Sequence, residues 1–165
     1  MIEEKLTKIY LDEFIKNLRY QDKLELENCN VLKNLDEFYR ICLDENNETY
    51  FLLTKKREPL ALGGVYELAN KKFKTGKVWL LTTNEIFKYK IAFYKYIRAK
   101  IEKFKNNYDI LFNFIYKSNF ASLDLLKKCN FNVVELNNSD FKLFYYIKTG
   151  WRGDNNFDLR YFTSE

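Results

Sequence analysis

Polar residues interrupt the most apolar parts of this chain. Thr82, Thr83 and Asn84 directly follow an apolar run, and Asn113 lies inside the apolar run at 109–116. Ligands of open α/β sheets bind at the carboxyl ends of strands, so we expect these side chains at a ligand-binding crevice. Two other roles stay open. Thr83 or Asn84 can cap the following helix, and Asn113 can make a structural hydrogen bond.

Lysines cluster beside these polar residues. Residues 71–105 contain eleven Lys or Arg and two acids, Glu85 and Glu102, a local charge of +9 in a chain of net charge +5. Lys88 and Lys90 would lie near a helix N-terminus, where the helix dipole also favours a phosphate or another acidic ligand. A solvated helix face is one alternative. Nucleic-acid binding is another, supported by the interleaved aromatic residues Tyr89, Phe93, Tyr94 and Tyr96.

The composition removes several kinds of chemistry. The 165 residues include no His, three Cys, five Gly and one Pro. The lack of His excludes His-dependent triads, HExxH zinc sites and imidazole bases. Cys29, Cys42 and Cys129 have no CxxC spacing, so we expect free thiols and no metal site. No segment approaches ~18 apolar residues and no signal-peptide pattern is present, so we expect a cytoplasmic protein that does not enter a membrane.

The spacing of apolar residues predicts the elements that position these side chains. Three- and four-residue steps predict helices over 11–27, 34–43 and 86–104 and a helix through Lys128 that Ser118 or Asn119 caps and that Asn130 follows in a left-handed conformation. Apolar and aromatic runs predict strands over 49–54 and 59–66, which form a hairpin, and over 78–82, 109–116, 131–136 and 141–147. Gly63 and Gly64 predict a bulge or a close backbone approach. The segment 78–116 is predicted as a right-handed parallel β-α-β crossover, in a single domain over 1–150 with an irregular tail over 151–165.

Three charged residues share one face of the first predicted helix. Arg19, Asp22 and Glu25 are spaced at i, i+3 and i+6. This spacing predicts structural ion pairs, and it would also shape a surface for a substrate or a partner.

One later segment follows a known pattern. Asn119, Ser122, Leu125 and Phe131 fall on Asn-x-x-small-x-x-Leu-Tyr-x-x-x-Gly-Phe, and here the chain resembles the GNAT superfamily of acetyl-CoA-dependent N-acetyltransferases. Blocks at 14–25, 59–65, 78–83 and 108–119 are similar, in order and spacing, to a phage-encoded branch that includes internal virion proteins of short-tailed phages. The resemblance extends over most of the chain.

The resemblance implies a fold and a set of site residues. The implied fold is α/β (α+β), with a GNAT-like mixed, mostly antiparallel central sheet flanked by helices. If acetyl-CoA or CoA binds, the resemblance implies contacts from Leu81, Thr82, Thr83, Lys88, Lys90, Asn113 and Asn119. The first three would hold the pantetheine through the backbone, and the two lysines would hold the pyrophosphate. Glu85 or a water would deprotonate the acceptor amine, and Tyr116 would act as the acid in place of Leu126.

Two departures from the superfamily argue against ordinary acetyl transfer. Glycines usually let the backbone close around the pyrophosphate, whereas this chain has no Gly between Gly76 and Gly150. The Tyr that often protonates the leaving thiolate falls on Leu126, which cannot donate a proton. We therefore expect a phage or prophage GNAT-like protein without a cofactor, in the host cytoplasm or the virion, that binds virion or assembly proteins. An active acyl-CoA-dependent N-acyltransferase is the alternative, and a homo-oligomer stays open.

Overall fold

A computed structural model of the protein describes residues 1–29, 34–69 and 73–148. The chain order is β1 (Ile2–Glu4), α1 (Lys8–Lys16), α2 (Tyr20–Asn28), α3 (Leu35–Leu43), β2 (Glu48–Leu53), β3 (Pro59–Glu67), β4 (Thr75–Thr82), a 3-10 helix (Asn84–Lys88), α4 (Lys90–Asn107), β5 (Ile110–Tyr116), α5 (Phe120–Lys128), β6 (Asn132–Glu135) and β7 (Phe141–Ile147). The tail predicted over 151–165 lies outside the described residues.

The strands form one seven-stranded sheet in the order β1-β2-β3-β4-β5-β7-β6. The pair formed by β4 and β5 is parallel, and the other neighbouring pairs are antiparallel. Helix α4 connects the two parallel strands, as the crossover prediction requires. The predicted mixed, mostly antiparallel sheet is confirmed.

The two parallel strands separate towards their carboxyl ends. Their pairing ends at Lys77 opposite Phe112, although β4 continues to Thr82 and β5 to Tyr116. We call the gap between these unpaired ends the splay. It is the feature of the sheet around which the candidate site is built.

Each face of the sheet packs against its own set of helices. Helices α4 and α5 cover one face through a cluster that includes Phe93, Ile97, Phe104, Leu123, Val78 and Leu111. Helices α1, α2 and α3 cover the other face through a cluster that includes Leu11, Phe14, Leu26, Phe38, Leu62 and Leu81. Because side chains alternate along a strand, even-numbered residues of β4 face α4 and α5, and odd-numbered ones face α1 to α3.

The helix predicted over 11–27 is wrong, because the chain forms two helices there. Helix α1 ends at Lys16, where the amide of Asn17 already turns back to the carbonyl of Phe14. The next residues pair with the end of β4: Leu18 forms a bridge with Thr83, and the Arg19 amide donates to the Thr82 carbonyl at 2.9 Å. These tertiary hydrogen bonds replace the ones that a continuous helix would have made.

The helix predicted over 86–104 begins differently from the prediction. A 3-10 helix comes first, and Tyr89 then breaks the helical path before α4. The break rotates the apolar stripe, so Phe87 and Ile91 are 47% and 77% exposed, while Phe93, Ile97 and Phe104 are buried. The three- and four-residue steps predict an apolar stripe over Phe87, Ile91, Tyr94, Ile97, Ile101 and Phe104. The stripe is wrong at Phe87 and Ile91 and confirmed at Ile97 and Phe104, and the buried Phe93 lies outside it.

Several local predictions are confirmed. Asn119 caps α5 by accepting from the Ser122 amide, and Asn130 takes a positive φ of 57° after that helix. The close approach predicted at Gly63 and Gly64 is present, since a Cβ on Gly64 would lie 2.2 Å from the Glu48 carbonyl oxygen. The three cysteines are free thiols. Among the described helices, none combines the length and the apolar character needed to cross a bilayer.

Candidate functional site

Helix α2 crosses the open end of the splay and bonds to both strands. On β4, the Thr82 amide donates to Asp22 Oδ2 at 2.9 Å and the Thr82 carbonyl accepts from the Arg19 amide at 2.9 Å. On β5, the Tyr116 amide donates to Glu25 Oε1 at 2.8 Å. Helix α2 therefore supplies the polar contacts that a continuing strand pair would otherwise have provided.

A buried ion pair fixes the start of α2. Arg19 Nη2 lies 2.8 Å from Asp22 Oδ1 and Arg19 Nε lies 3.2 Å from Asp22 Oδ2, a two-pronged arrangement that strengthens the pair. Asp22 is 1% exposed, and it also accepts from the Thr82 hydroxyl at 2.8 Å. Arg19 Nη2 reaches further, to Asn119 Oδ1 and Ser122 Oγ, each at 3.2 Å. The predicted ion pair is confirmed, and it ties α2 to β4 and α5.

Glu25 behaves differently from the other two charged residues of this face. No ion pair of the described residues includes it. Its Oε1 accepts from the Tyr116 amide and from Asn119 Nδ2 at 3.1 Å, whereas no described group bonds to its Oε2. One carboxylate oxygen is thus anchored and the other is available to a ligand.

The surroundings of Glu25 raise the pKa of its carboxyl group to about 7. Burial is the main cause, and the hydrogen bonds from Tyr116 and Asn119 oppose it. The negative charge of Asp22 raises the pKa further, and the positive charge of Arg19 lowers it. A carboxyl group with this pKa is divided between its two protonation states near neutral pH, which suits a general base.

The backbone of β4 presents alternate residues to the splay. The Thr83 amide donates to the Leu60 carbonyl of β3, so odd-numbered residues of β4 direct their backbone groups towards β3. Even-numbered residues direct theirs towards β5. The Val78 carbonyl accepts from Asn113 Nδ2 at 3.0 Å, which bridges the splay near its base. Leu80 lies between Val78 and Thr82, beyond the last paired rung, so its N–H and C=O face the splay without a strand partner among the described residues.

Three of the residues that the resemblance implies as CoA contacts, Leu81, Thr82 and Asn113, differ in what their polar groups bond to. Leu81 pairs with Leu62 of β3, so Leu80 presents the backbone groups that the resemblance assigned to Leu81. Thr82 already bonds to α2. The amide group of Asn113 bridges to Val78 and its Oδ1 accepts from the Phe114 amide at 2.8 Å, a structural bond that also crosses the splay.

The remaining predicted side chains have partners of their own. Asn119 is 1% exposed and bonds to Arg19, Ser122 and Glu25. The Thr83 hydroxyl donates to the Pro59 carbonyl at 3.0 Å. Of the two capping candidates, Thr83 is the N-cap residue of the 3-10 helix, but its side chain makes no capping hydrogen bond. The Tyr116 ring packs edge-on against Phe141, and its backbone amide is the group that reaches Glu25.

The segment after β4 carries an uncapped helix N-terminus. Glu85 binds Lys88 Nζ with both carboxylate oxygens, at 2.8 and 2.7 Å, and Lys90 Nζ lies 5.4 Å from the centre of the Phe87 ring. Helix α4 starts at Lys90 with no side-chain cap and no acidic residue in its first turn. Backbone N–H groups without a cap at the start of a helix favour an anion.

Several charges of the basic segment are paired. Lys88, Lys100, Lys103 and Lys105 form ion pairs with Glu85, Glu3, Glu48 and Glu102 respectively. Of the interleaved aromatic residues, Phe93 is buried and Tyr89, Tyr94 and Tyr96 pack partly against the same core. These contacts agree with the solvated helix face that the sequence left open, and nucleic-acid binding stays a prediction.

The sequence favoured a structural ion pair for Glu25 and left a surface for a substrate or a partner as the alternative. Its spacing from Asp22 made it look like a member of an ion-pair row. The signal that distinguishes it is tertiary, because the backbone amide of β5 and the side chain of Asn119 come from distant parts of the chain.

Comparison with known proteins identifies the fold. No profile of a known protein family matches the chain, and neither does any curated protein sequence. Solved structures do match. A GNAT-family acetyltransferase from Staphylococcus aureus Mu50 matches at a TM-score of 0.64 and 10% identity, covering 88% of this chain and 98% of its own.

Two further solved structures agree with it. A spermidine N-acetyltransferase chimera from Vibrio cholerae and hSSAT matches at a TM-score of 0.60 and 14% identity, over 88% of this chain and 94% of its own. A Bacillus subtilis acetyltransferase in complex with CoA matches at 0.56 and 14% identity, over 88% and 96%. At such low identity the similarity shows the fold alone: the chain has the fold of the GNAT acetyltransferases. These matches carry no information on a phage branch.

Proposed function

We propose that the protein is an acyl-CoA-dependent N-acyltransferase that works at the splay, with Glu25 as its general base. The observation that carries the proposal is the half-anchored carboxylate of Glu25, whose pKa of about 7 lies at the pH at which a base must operate. The sequence alone favoured a protein without catalysis, because the glycines after β4 are missing and Leu126 stands where the superfamily often has a Tyr.

The residues around the splay fit a CoA thioester. The splay-facing N–H and C=O of Leu80 offer the backbone contacts that an extended pantetheine arm needs. The N-terminus of α4 has no side-chain cap and carries Lys90 in its first turn. Its free backbone N–H groups and the Lys90 ammonium group would bind the negatively charged pyrophosphate. When bound, the thioester would supply an activated acyl carbon.

The protein's own groups would then handle the proton and the acceptor. Glu25 Oε2 would accept a proton from the acceptor amine and make it nucleophilic. The amine nitrogen would then bond to the acyl carbon, the carbon–sulfur bond would break, and CoA would leave as a thiolate that takes a proton from water. The Tyr116 amide and Asn119 Nδ2 hold Oε1, so the carboxylate keeps its orientation while Oε2 works. The Arg19–Asp22 pair would keep α2 in place without taking part in the proton transfer.

Because the segment after β4 contains no glycine, we expect it to bind CoA with lower affinity than a glycine-rich loop would. The Asn84–Lys88 turn is a 3-10 helix, and Lys88 is already bound to Glu85. The pyrophosphate would therefore depend on the first turn of α4. We expect truncation of Lys90 to weaken CoA binding more than truncation of Lys88.

The decisive experiment separates binding from chemistry. Isothermal titration should detect acetyl-CoA binding to the wild type and to Glu25→Gln, because this substitution leaves Leu80 and α4 unchanged. Release of CoA thiol with a panel of amines should fall by roughly 10²- to 10⁴-fold in Glu25→Gln, the usual contribution of a general base. Glu27→Gln, an exposed neighbour on the same helix, is the matched control. The absence of acetyl-CoA binding to the wild type would refute the proposal.

A second candidate function is a GNAT-fold protein that binds partner proteins without catalysis. The observation that favours it is the occupation of the Thr82 backbone and the Asn119 side chain by α2, together with the missing glycines. The sequence resemblance to phage proteins would make virion or assembly proteins the partners. This candidate predicts no heat on titration with acetyl-CoA or CoA, so the same experiment distinguishes the two.

A further inference from the structure

Lys77 occupies a distinctive position at the base of the splay. It is the last residue of β4 that pairs with β5, where it lies opposite Phe112. As an odd-numbered residue of β4, it shares a face with Trp79 and Leu81, whose side chains pack on the side of α1 to α3. Its side chain therefore lies on the side of the sheet that α2 crosses.

The Lys77 ammonium group has no acidic partner in the described part of the chain. It is half-buried, and none of the ion pairs there includes it. Lys74, by contrast, lies just before β4 and pairs with Glu67. Partial burial of an unpaired charge is costly, so a ligand that brings an anion to Lys77 is stabilised there.

Lys77 and Glu25 border the same space. Glu25 and Cys29 are spaced at i and i+4 on α2, so they lie on one face of it. Both charges act on the Cys29 thiol. Burial raises the pKa of this thiol most, the negative charge of Glu25 raises the pKa further, and the positive charge of Lys77 lowers it. Along β5, Phe112 at the base of the splay and Tyr116 beside Glu25 are about 13 Å apart at ~3.3 Å per residue. Lys77, opposite Phe112, and Glu25, at the Tyr116 amide, therefore mark the two ends of this interval.

We propose that Lys77 makes the enzyme selective for acceptor amines that carry a carboxylate, with the amine at Glu25 and the carboxylate at Lys77. This inference rests on the proposed function. An amino acid carries an ammonium group and a carboxylate. The ammonium group would lie at the Glu25 carboxylate and the carboxylate at the Lys77 ammonium group, so each meets an opposite charge. An acceptor with a second positive charge is repelled by Lys77, and a neutral amide leaves Lys77 without its partner.

The test compares amino acids with their amides. The acceptors are unbranched amino acids in which a methylene chain of increasing length separates the amine from the carboxylate. Each acid is compared with its amide. The assay measures the release of CoA from acetyl-CoA. The wild type should prefer at least one acid over its amide by about 10-fold or more in kcat/KM, as expected for a charged hydrogen bond. Lys77→Met should remove this preference, mainly by raising KM for the acids. Lys77→Arg should retain most of the preference, and the exposed Lys23→Met is the control.

Two results would overturn the inference. Equal kcat/KM values for acids and amides in the wild type would show that no carboxylate is recognised. An unchanged acid preference in a folded Lys77→Met variant would show that another residue recognises it, and a thermal melt would establish folding. Titration with acetyl-CoA distinguishes failure of the proposed function from failure of the role of Lys77. If the wild type does not bind acetyl-CoA, the proposed function is refuted. If the wild type turns over amines without preferring acids, only the role of Lys77 is refuted.

Discussion

Replacing Asp22 should destabilise the protein far more than replacing a surface carboxylate. The substitution Asp22→Asn keeps the side-chain volume but removes the charge that four hydrogen bonds converge on, from Arg19 Nε and Nη2 and from the Thr82 amide and hydroxyl. Arg19, 8% exposed, would keep its charge without a counter-ion. Removing one partner of a buried pair costs about 3–5 kcal/mol. For a protein of this size, that corresponds to a fall in Tm of roughly 6–20 °C.

The assay is urea and thermal unfolding followed by circular dichroism. The matched control is Asp124→Asn on α5, where Asp124 pairs with Lys128 at 2.6 Å but both side chains are more than half exposed. That variant should lose less than about 1 kcal/mol. The double variant Arg19→Met/Asp22→Ala should regain part of the loss, since no charge is left unpaired. A loss in Asp22→Asn no larger than in Asp124→Asn would refute the assignment of the pair as the anchor of α2.

Two further predictions concern stability. Because the pKa of Glu25 is raised from 4.5 to about 7, the folded state binds more protons between these values, so the free energy of unfolding should fall as pH rises through this window. Glu25→Gln should lack this component in denaturant titrations at pH 4.5 and 7.5, and an unchanged pH dependence would contradict the burial of the carboxyl. Gly64→Ala should cost several kcal/mol in urea unfolding, because its Cβ would lie 2.2 Å from the Glu48 carbonyl oxygen; a loss below about 1 kcal/mol would show that β2 and β3 separate easily.

Local patterns were enough to predict most elements. The Asn119 cap, the left-handed Asn130 and the β2–β3 hairpin depend on neighbours in the sequence, and each is present. Errors arose where distant segments compete with local preference. The first helix was predicted as continuous because its apolar steps continue past Leu18, but the end of β4 takes the hydrogen bonds of residues 18 and 19. β1 was missed because three residues carry too little pattern.

In the candidate site, too, some features follow from local sequence and others from contacts between distant segments. The sequence placed Thr82, Asn113 and Asn119 near a crevice, because strand ends and caps can be read from local spacing. It could not show that their side chains or backbone groups are already bonded to one another and to α2, since those contacts join residues up to a hundred positions apart.

The sequence by itself determined most of the order of the elements, from the helix at 34–43 to the last strand, and the resemblance to the GNAT fold, because helical and strand periodicities are local properties of the chain. It also determined that no histidine or glycine-rich loop is available after β4. The tertiary structure decided which carboxylate differs from the rest. Asp22 and Glu25 lie three residues apart on one helix, yet Asp22 meets an arginine and Glu25 meets backbone and amide donors in a buried setting. Burial, which only the folded chain defines, is what raises the pKa of the Glu25 carboxyl.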